Sequence, residues 1–239
     1  MSEQVRYRLQ DGIAIIELDD GKRNALSPGM FRQINAALDR AEADRVPVIL
    51  SGRESVFSAG FDLKVMKSGG ADTLRMLRAG YALTARVMSH PYPVVAACNG
   101  HVLAMGVFLM LSADYVIGSA GDFRISANEV ALGLTMPRVA AAMLKHRLKP
   151  SDYQTAVTLS RYFTVDAALG AGFFDEVVAP ELLLDRARAC AAEFAQLDMP
   201  AHAASKRRIR GELIRYVRRS IPLDLLDAVR MGLKAARRR

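Results

Sequence analysis

The order of the hydrophobic patterns is what most constrains this chain. Strand–strand–helix units fill its first half, and helical periodicity takes over from Pro137 onward. Residues 5–9 alternate, and residues 12–18 form a β-branched run after an Asp-Gly turn, which predicts two strands. Ser27 then offers an N-cap with Pro28 at the first helical position. Phe31, Ile34, Leu38 and Ala41 follow at helical spacing, opposite Arg32, Gln33, Asp39 and Arg40. Residues 47–50 and 93–98 read as short apolar strands. Residues 64–71, with Gly69-Gly70, read as a surface loop. Asp72 is positioned to cap a helix carrying Leu74, Leu77, Tyr81 and Val87. After Asn99-Gly100 a small apolar helix is expected to about Ser112, then a strand over 114–118. The second half predicts helices over 138–148, 151–159, 165–171, 182–197 and from about Ala203, interrupted by one strand at 174–178. Strands early and helices late suit a mixed α/β core with an appended helical segment. Pro200 is read as the hinge, dividing a core of 1–199 from a basic helical segment of 200–239.

Charge sharpens that division. The net charge is +8, yet residues 205–239 hold twelve Lys and Arg against three Asp and Glu, leaving twenty-one basic and twenty-two acidic residues elsewhere. A near-neutral body thus carries a basic tail. Cys98 and Cys190 stand far apart without metal-ligand spacing, which argues against a disulfide framework and a structural zinc site. The first residues have no basic and apolar leader pattern. The longest apolar stretch, 102–111, is about half of what a bilayer span requires. The expectation is a cytoplasmic protein with no membrane partner. At 239 residues the chain can bury roughly 70–75% of its unfolded surface, enough for a self-sufficient core.

Four segments could carry chemistry. Lys22-Arg23-Asn24-Ala25-Leu26-Ser27 is a basic turn between a strand and a helix, or simply a solvated turn ending in a cap. Phe57-Ser58-Ala59-Gly60-Phe61-Asp62-Leu63-Lys64 puts small residues at a strand end, where backbone N–H groups can face an oxyanion. Residues 99–108 place a strand, a small-residue turn and a helix start in sequence, and the first amides of a helix lack intrahelical acceptors. In residues 126–137, Glu129 is the single carboxylate of an apolar stretch. Burial would raise its pKa and suit it to proton transfer, whereas an exposed loop glutamate would do no chemistry.

Taken together and in this order, these segments resemble the crotonase (enoyl-CoA hydratase/isomerase) superfamily over about residues 5–178. The family's coenzyme A turn is similar to Lys22-Arg23-Asn24-Ala25-Leu26, and its F-x-A-G-x-D-(L/I) segment to residues 57–63. Its N-G-x-x-x-G-G-G run is matched loosely by residues 99–106, where Ala104 and Met105 replace two glycines. Its P-E-(I/V)-x-x-G-(L/I) segment is matched by residues 128–134, and its A-x-x-x-G ending by residues 167–178.

The resemblance implies a crotonase-type spiral of repeated ββα units with a helical C-terminal segment. It implies an acyl-CoA thioester as substrate, no separate cofactor, no metal, and a homotrimer or dimer of trimers. The apolar Ile221, Leu223, Leu225, Leu226, Val229 and Leu233 of the tail are consistent with helices that pack over a pocket or onto a neighbour. The amides of Phe61 and Met105 would hold the thioester oxygen as charge develops on it, each such donor being worth roughly 2.7–4 kcal/mol in comparable sites. Lys22, Arg23, Ala25, Leu26, Ala59, Asp62, Leu63 and Lys64 would lie along the coenzyme, with Lys64 either at a phosphate or solvated. Phe108, His101 and Met136 would line the acyl pocket, His101 alternatively serving only in packing.

Hydratases of the family use two glutamates. One matches Glu129; the other position falls at Phe108, which transfers no protons. One carboxylate can take a proton from C2 of a 3-enoyl-CoA and return it at C4, so the resemblance implies isomerisation ahead of hydration. A hydratase or other enolate-forming lyase acting on an unusual acyl-CoA remains the alternative. The family's run after the base segment is replaced by Thr135-Met136-Pro137-Arg138-Val139, so acyl length does not carry over. Asp114 is expected to be structural, and His90 and His146 to sit near helix C-termini, where a cation is favourable.

The tail raises a reading of another class, a crotonase-fold binder of RNA or anionic surfaces. Lys206, Arg207, Arg208, Arg210, Arg215, Arg218, Arg219 and Arg237–Arg239 supply the charge. Tyr216 is the one aromatic interleaved with them, too few for stacking on single strands, so no nucleic-acid partner is expected. These cations are read instead as meeting coenzyme phosphates or a neighbouring subunit's acidic surface.

Overall fold

The computed structural model describes residues 3–236; the Arg237–Arg239 cluster expected to extend the basic tail lies outside them. The chain begins with an antiparallel hairpin of β1 (Val5–Gln10) and β2 (Ile13–Leu18), in which Val5 faces Leu18. Next come β3 (Ala25–Leu26) and α1 (Pro28–Asp44). Ser27 caps α1 as expected, its Oγ accepting from the Met30 amide at 3.1 Å. The following turn contains β4 (Val48–Ser51), β5 (Ser55–Ser58), β6 (Gly60–Phe61), α2 (Leu63–Ser68) and α3 (Gly70–Met88). Then come β7 (Val94–Cys98), β8 (Gly100–Leu103) and α4 (Met105–Leu111), followed by β9 (Tyr115–Ser119) and β10 (Ile125–Ser126). The second half holds α5 (Arg138–Arg147), α6 (Pro150–Leu159), α7 (Val165–Ala171), β11 (Glu176–Val178), α8 (Leu183–Phe194) and α9 (Met199–Ala236).

Each early unit gives one strand to a six-stranded sheet ordered β1-β2-β4-β7-β9-β11, parallel from β2 onward. The unit then turns a corner and gives a short strand to a second layer, where β10-β8-β5 form one sheet and β3-β6 another. This is the spiral of ββα units that the motif order implied. Strand β7 is apolar throughout, and β4 is apolar up to its last residue, Ser51, because both faces are covered. Leu183, Ala187, Cys190 and Ala191 of α8 close one face over Ile15, Ile49, Val95 and Ile117. The main core fills the other. Both cysteines are buried and free.

Four expectations change. The segment read as a surface loop is α2 plus the start of α3, because Asp62 caps α2 by accepting from the Lys64 amide at 2.7 Å. Asp72 therefore lies in the first turn of α3, not at its cap. The segment after Asn99 first extends as β8, so the apolar helix starts only at Met105. Pro200 is no hinge. It occupies the second position of α9, where it gives up no helical bond, while Asp198 Oδ1 accepts from the Ala201 amide at 2.7 Å.

The C-terminal segment is helical as expected, and it packs into the core. Ile214, Val217 and Ile221 of α9 are buried in the main core. Lys206 and Arg210 are buried on Asp114, at 2.6 and 2.8 Å, which confirms Asp114 as structural. Asp114 also accepts from the Val94 amide at 2.8 Å, and Arg210 donates to the carbonyls of Ser112 and Ala113. These two cations thus meet neither a coenzyme phosphate nor a neighbour's surface. His90 and His146 are not favoured cations either. Burial lowers both pKa values, helped by Lys206 at His90 and by Arg210 and Arg147 at His146. No helix among the described residues is long and apolar enough to cross a membrane.

Candidate active site

The site is assembled from three short backbone segments and one loop. The first is the turn ahead of β3. Asp20 ties it down by accepting from the amides of Lys22, Asn24 and Ala25 at 2.7–2.9 Å. Asn24 sits fully buried at φ +50°, its Nδ2 donating to the carbonyls of Leu18 and Phe57 at 2.8 and 3.1 Å. In return Ser58 Oγ donates to the Asn24 carbonyl at 2.8 Å and accepts from the Gly60 amide at 3.1 Å. The Ala59 amide donates to the Arg23 carbonyl at 3.0 Å. Parallel pairing of Ala25 with Gly60 and Leu26 with Phe61 completes the junction. The turn read as coenzyme-binding and the first oxyanion segment are therefore one construction. Lys22, Arg23, Leu63 and Lys64 are exposed along it, Ala25, Ala59 and Asp62 are half-buried, and Leu26 is buried. Asp62 itself is occupied as the cap of α2.

The second oxyanion segment docks onto the first. Gly60 has φ +90°, and a Cβ there would stand 2.8 Å from Ala104 Cβ, 3.0 Å from the Leu103 carbonyl oxygen and 3.3 Å from the Met105 amide nitrogen. Only glycine permits this approach. It brings the Gly60–Phe61 peptide beside the amide of Met105, the first residue of α4. Ala104 turns the chain into α4 at φ +47°, ψ −123°, a conformation costly for any residue with a Cβ. The strain accompanies a backbone aimed by its surroundings: the Ala104 amide donates to the Ser126 carbonyl at 2.9 Å, and Ser126 pairs with Leu103.

That same pairing leads into the loop carrying Glu129. Its side chain is only 6% exposed, so the exposed-loop alternative falls. Burial pushes its pKa up to about 7, and Oε2 is sealed without a hydrogen-bond partner among the described residues. A buried carboxylate left this way is costly unless the group has work to do. The neighbouring Asn128 Oδ1 is equally sealed and unpartnered. Its only sequence signal is that it stands where the resembling family has proline. Tyr81, on α3, links this loop to the first segment: its ring meets Phe61 edge-on at 5.8 Å, and its phenol lies within electrostatic reach of Glu129. Phe31 packs on the other side of Phe61 at 6.0 Å. In the sequence Asn24 reads only as the middle of a turn and Tyr81 as helical core, so neither signals its part in the site.

The residues assigned to an acyl pocket separate. Phe108 is 0% exposed, locked in the main core. Met136 is half-buried and packs against the same core at the end of the Glu129 loop. His101 meets Phe123 edge-on at 5.4 Å and accepts from the Arg124 amide at 3.0 Å, the partners of a packing role. Two surface grooves, one between α1 and α3 and one beside the ends of β4 and β7, are lined by none of Glu129, Phe61 and Met105. Among the described residues no cluster of His, Cys, Asp and Glu could hold a metal. The arrangement offers one buried carboxylate whose pKa is pushed up to about 7, beside two small-residue backbone segments packed closely against each other, which suits proton transfer beside a carbonyl.

Comparison with known proteins agrees with that chemistry. A family model described as enoyl-CoA hydratase/isomerase matches residues 8–217. A probable enoyl-CoA hydratase from Mycobacterium avium is 36% identical over 197 residues, covering 80% of this chain and 75% of the relative. The crystal structure of an enoyl-CoA hydratase from Mycobacterium marinum is 44% identical with a TM-score of 0.89, covering 93% of this chain and 98% of that one. The apo structure of an Mtb enoyl-CoA isomerase is also 44% identical, with a TM-score of 0.90 and coverage of 94% and 98%.

Proposed function

Since the chain belongs to the enoyl-CoA hydratase/isomerase family, we propose that it moves the double bond of a 3-enoyl-CoA to the 2-position, with Glu129 as its single base. The observation that carries this reading is one buried carboxylate with an unpartnered oxygen, Glu129; the resemblance adds that the position of a hydratase's second glutamate falls at Phe108, a buried phenyl ring.

The ionised Glu129 takes a proton from C2, and the C–H electron pair becomes the enolate of the thioester. The developing charge on the thioester oxygen is held by the amides of Phe61 and Met105. The electrons then return, the double bond forms between C2 and C3, and the protonated Glu129 delivers its proton to C4. A pKa near neutrality serves both halves, because the group must accept and release the same proton. Phe108 offers no group to hold water, and the burial of Glu129 keeps the carboxyl dry. The exposed Lys22 and Arg23 ahead of β3 and Lys64 on α2 would meet the coenzyme. Exposed Leu223, Leu226, Val229 and Leu233 on α9 support a homo-oligomer, a trimer or a dimer of trimers.

Hydration is the second reading, favoured by the name of the Mycobacterium marinum relative. Purified protein offered 3-hexenoyl-CoA and crotonyl-CoA separately distinguishes them. Double-bond migration without hydration is expected; rapid hydration of crotonyl-CoA with no migration would sink the isomerase reading.

A further inference from the structure

We infer that Asp224, on the C-terminal helix, is a positioning residue for Glu129, because it holds the far end of the loop on which the base sits. The inference rests on the reading of Glu129 as the base. The loop leaves β10 at Ser126 and enters α5 at Arg138. Its near end is fixed by the β10–β8 pairing, and Ser160 Oγ steadies its middle by accepting from the Ala131 amide at 3.0 Å. Within the loop the Glu129 carbonyl accepts from the amides of Leu132 and Leu134 at 3.0 and 2.9 Å. The loop is thus a compact turn whose aim depends on where its ends are held.

At its far end no neighbouring side chain caps the helix that follows. Pro137 stands at the N-cap of α5 and supplies no side-chain acceptor. The acceptor comes from 86 residues away: Asp224 Oδ1 takes the Arg138 amide at 3.0 Å and Oδ2 takes the Val139 amide at 3.0 Å. Arg138 Nη1 adds a third bond to Oδ1 at 3.0 Å and also reaches Asp227 at 2.6 Å, which in turn pairs with Arg230. The Asp224 side chain is 3% exposed, and all three donors belong to the residues that end the loop. Tyr81 of α3 stands within electrostatic reach of both Asp224 and Glu129, so the two carboxylates flank one phenol. Asp224 lies beyond residue 217, where the family match ends.

A residue that only stabilised α5 would change the melting temperature and nothing else. A positioning residue changes how the base behaves. The experiment compares Asp224→Asn with Asp227→Asn in the full chain. It follows kcat and KM on 3-hexenoyl-CoA and the carboxyl titration of Glu129 by ¹³C NMR, assigned with Glu129→Gln. Asp224→Asn is expected to lower kcat by about tenfold and change KM by less than about twofold. It should also move the Glu129 titration from about 7 toward the ordinary carboxylate value. Asp227→Asn should do neither. An Asp224→Asn protein that melts earlier but keeps both kcat and the Glu129 titration overturns the inference. If no form migrates the double bond while the titration still moves, the isomerase reading fails and the positioning role stands. Should Asp224→Asn not fold, Arg138→Met removes one of the three bonds; a smaller shift in the same direction supports the role, and no shift overturns it.

Discussion

Two regions of this molecule bury carboxylates and treat them in opposite ways. Around α9, Asp114 receives Lys206, Arg210 and the Val94 amide, and Asp224 receives two amides and the Arg138 guanidinium. In the loop after β10, Glu129 is buried with one oxygen bonded to nothing. The first region shows what burial looks like when a charge serves the fold: its acceptor sites are filled, and removing a partner leaves an ion stranded. The second shows a charge kept poorly solvated, so that its proton can come and go near neutral pH. The two are coupled, since the satisfied Asp224 fastens the loop that holds the unsatisfied Glu129.

The sharpest way to break this contrast is Glu129→Gln. Migration should fall by at least about a thousandfold, read as the initial rate on 3-hexenoyl-CoA. Stability should move the other way. The folded protein holds the Glu129 proton up to about pH 7, against 4.5 in the unfolded chain, so this group makes stability fall as pH rises between those values and leaves a constant penalty above. Glu129→Gln should therefore gain about 3 kcal/mol at pH 8 and almost nothing at pH 4, checked by urea unfolding at both. By the same titration, wild-type kcat/KM should decline as pH drops below about 7.

Asp114→Ala tests the other region. It strands Lys206 and Arg210, whose side chains are 4% and 10% exposed, and should cost about 3–5 kcal/mol in unfolding free energy. Gly60→Ala comes next, combining φ +90° with a Cβ 2.8 Å from Ala104 Cβ. A loss of about 2 kcal/mol is expected, with kcat falling at least about tenfold as the two amides are pushed apart. The smallest effect is Ala104→Gly, which relieves φ +47° and should raise stability by about 1 kcal/mol with kcat unchanged.

Much of this was legible in the sequence, and the gaps have physical causes. Long periodic segments such as α1 and the apolar strands β4 and β7 announce themselves, because one face or both must be buried. The two-residue strands β3 and β6, which join the turn read as coenzyme-binding to the first oxyanion segment, are too short to carry any period. Glu129 is visible as a lone carboxylate. Its burial is not, because Val130 and Leu132 beside it are exposed and invert the local pattern. The basic tail misled for a related reason: charge counts do not tell which cations lie on an inward stripe, and Lys206 and Arg210, four residues apart, share one. The fastening of Arg138 by Asp224 spans 86 residues and depends on where α9 crosses α5, which no local pattern encodes.

The central claim is that one carboxylate carries the proton from C2 to C4 in a dry site. It is tested most directly with 3-hexenoyl-CoA deuterated at C2 and turned over in ordinary water. The account predicts 2-hexenoyl-CoA with part of the deuterium now at C4, and none formed by Glu129→Gln. Product carrying only solvent hydrogen at C4, accompanied by the 3-hydroxyacyl compound, would contradict it.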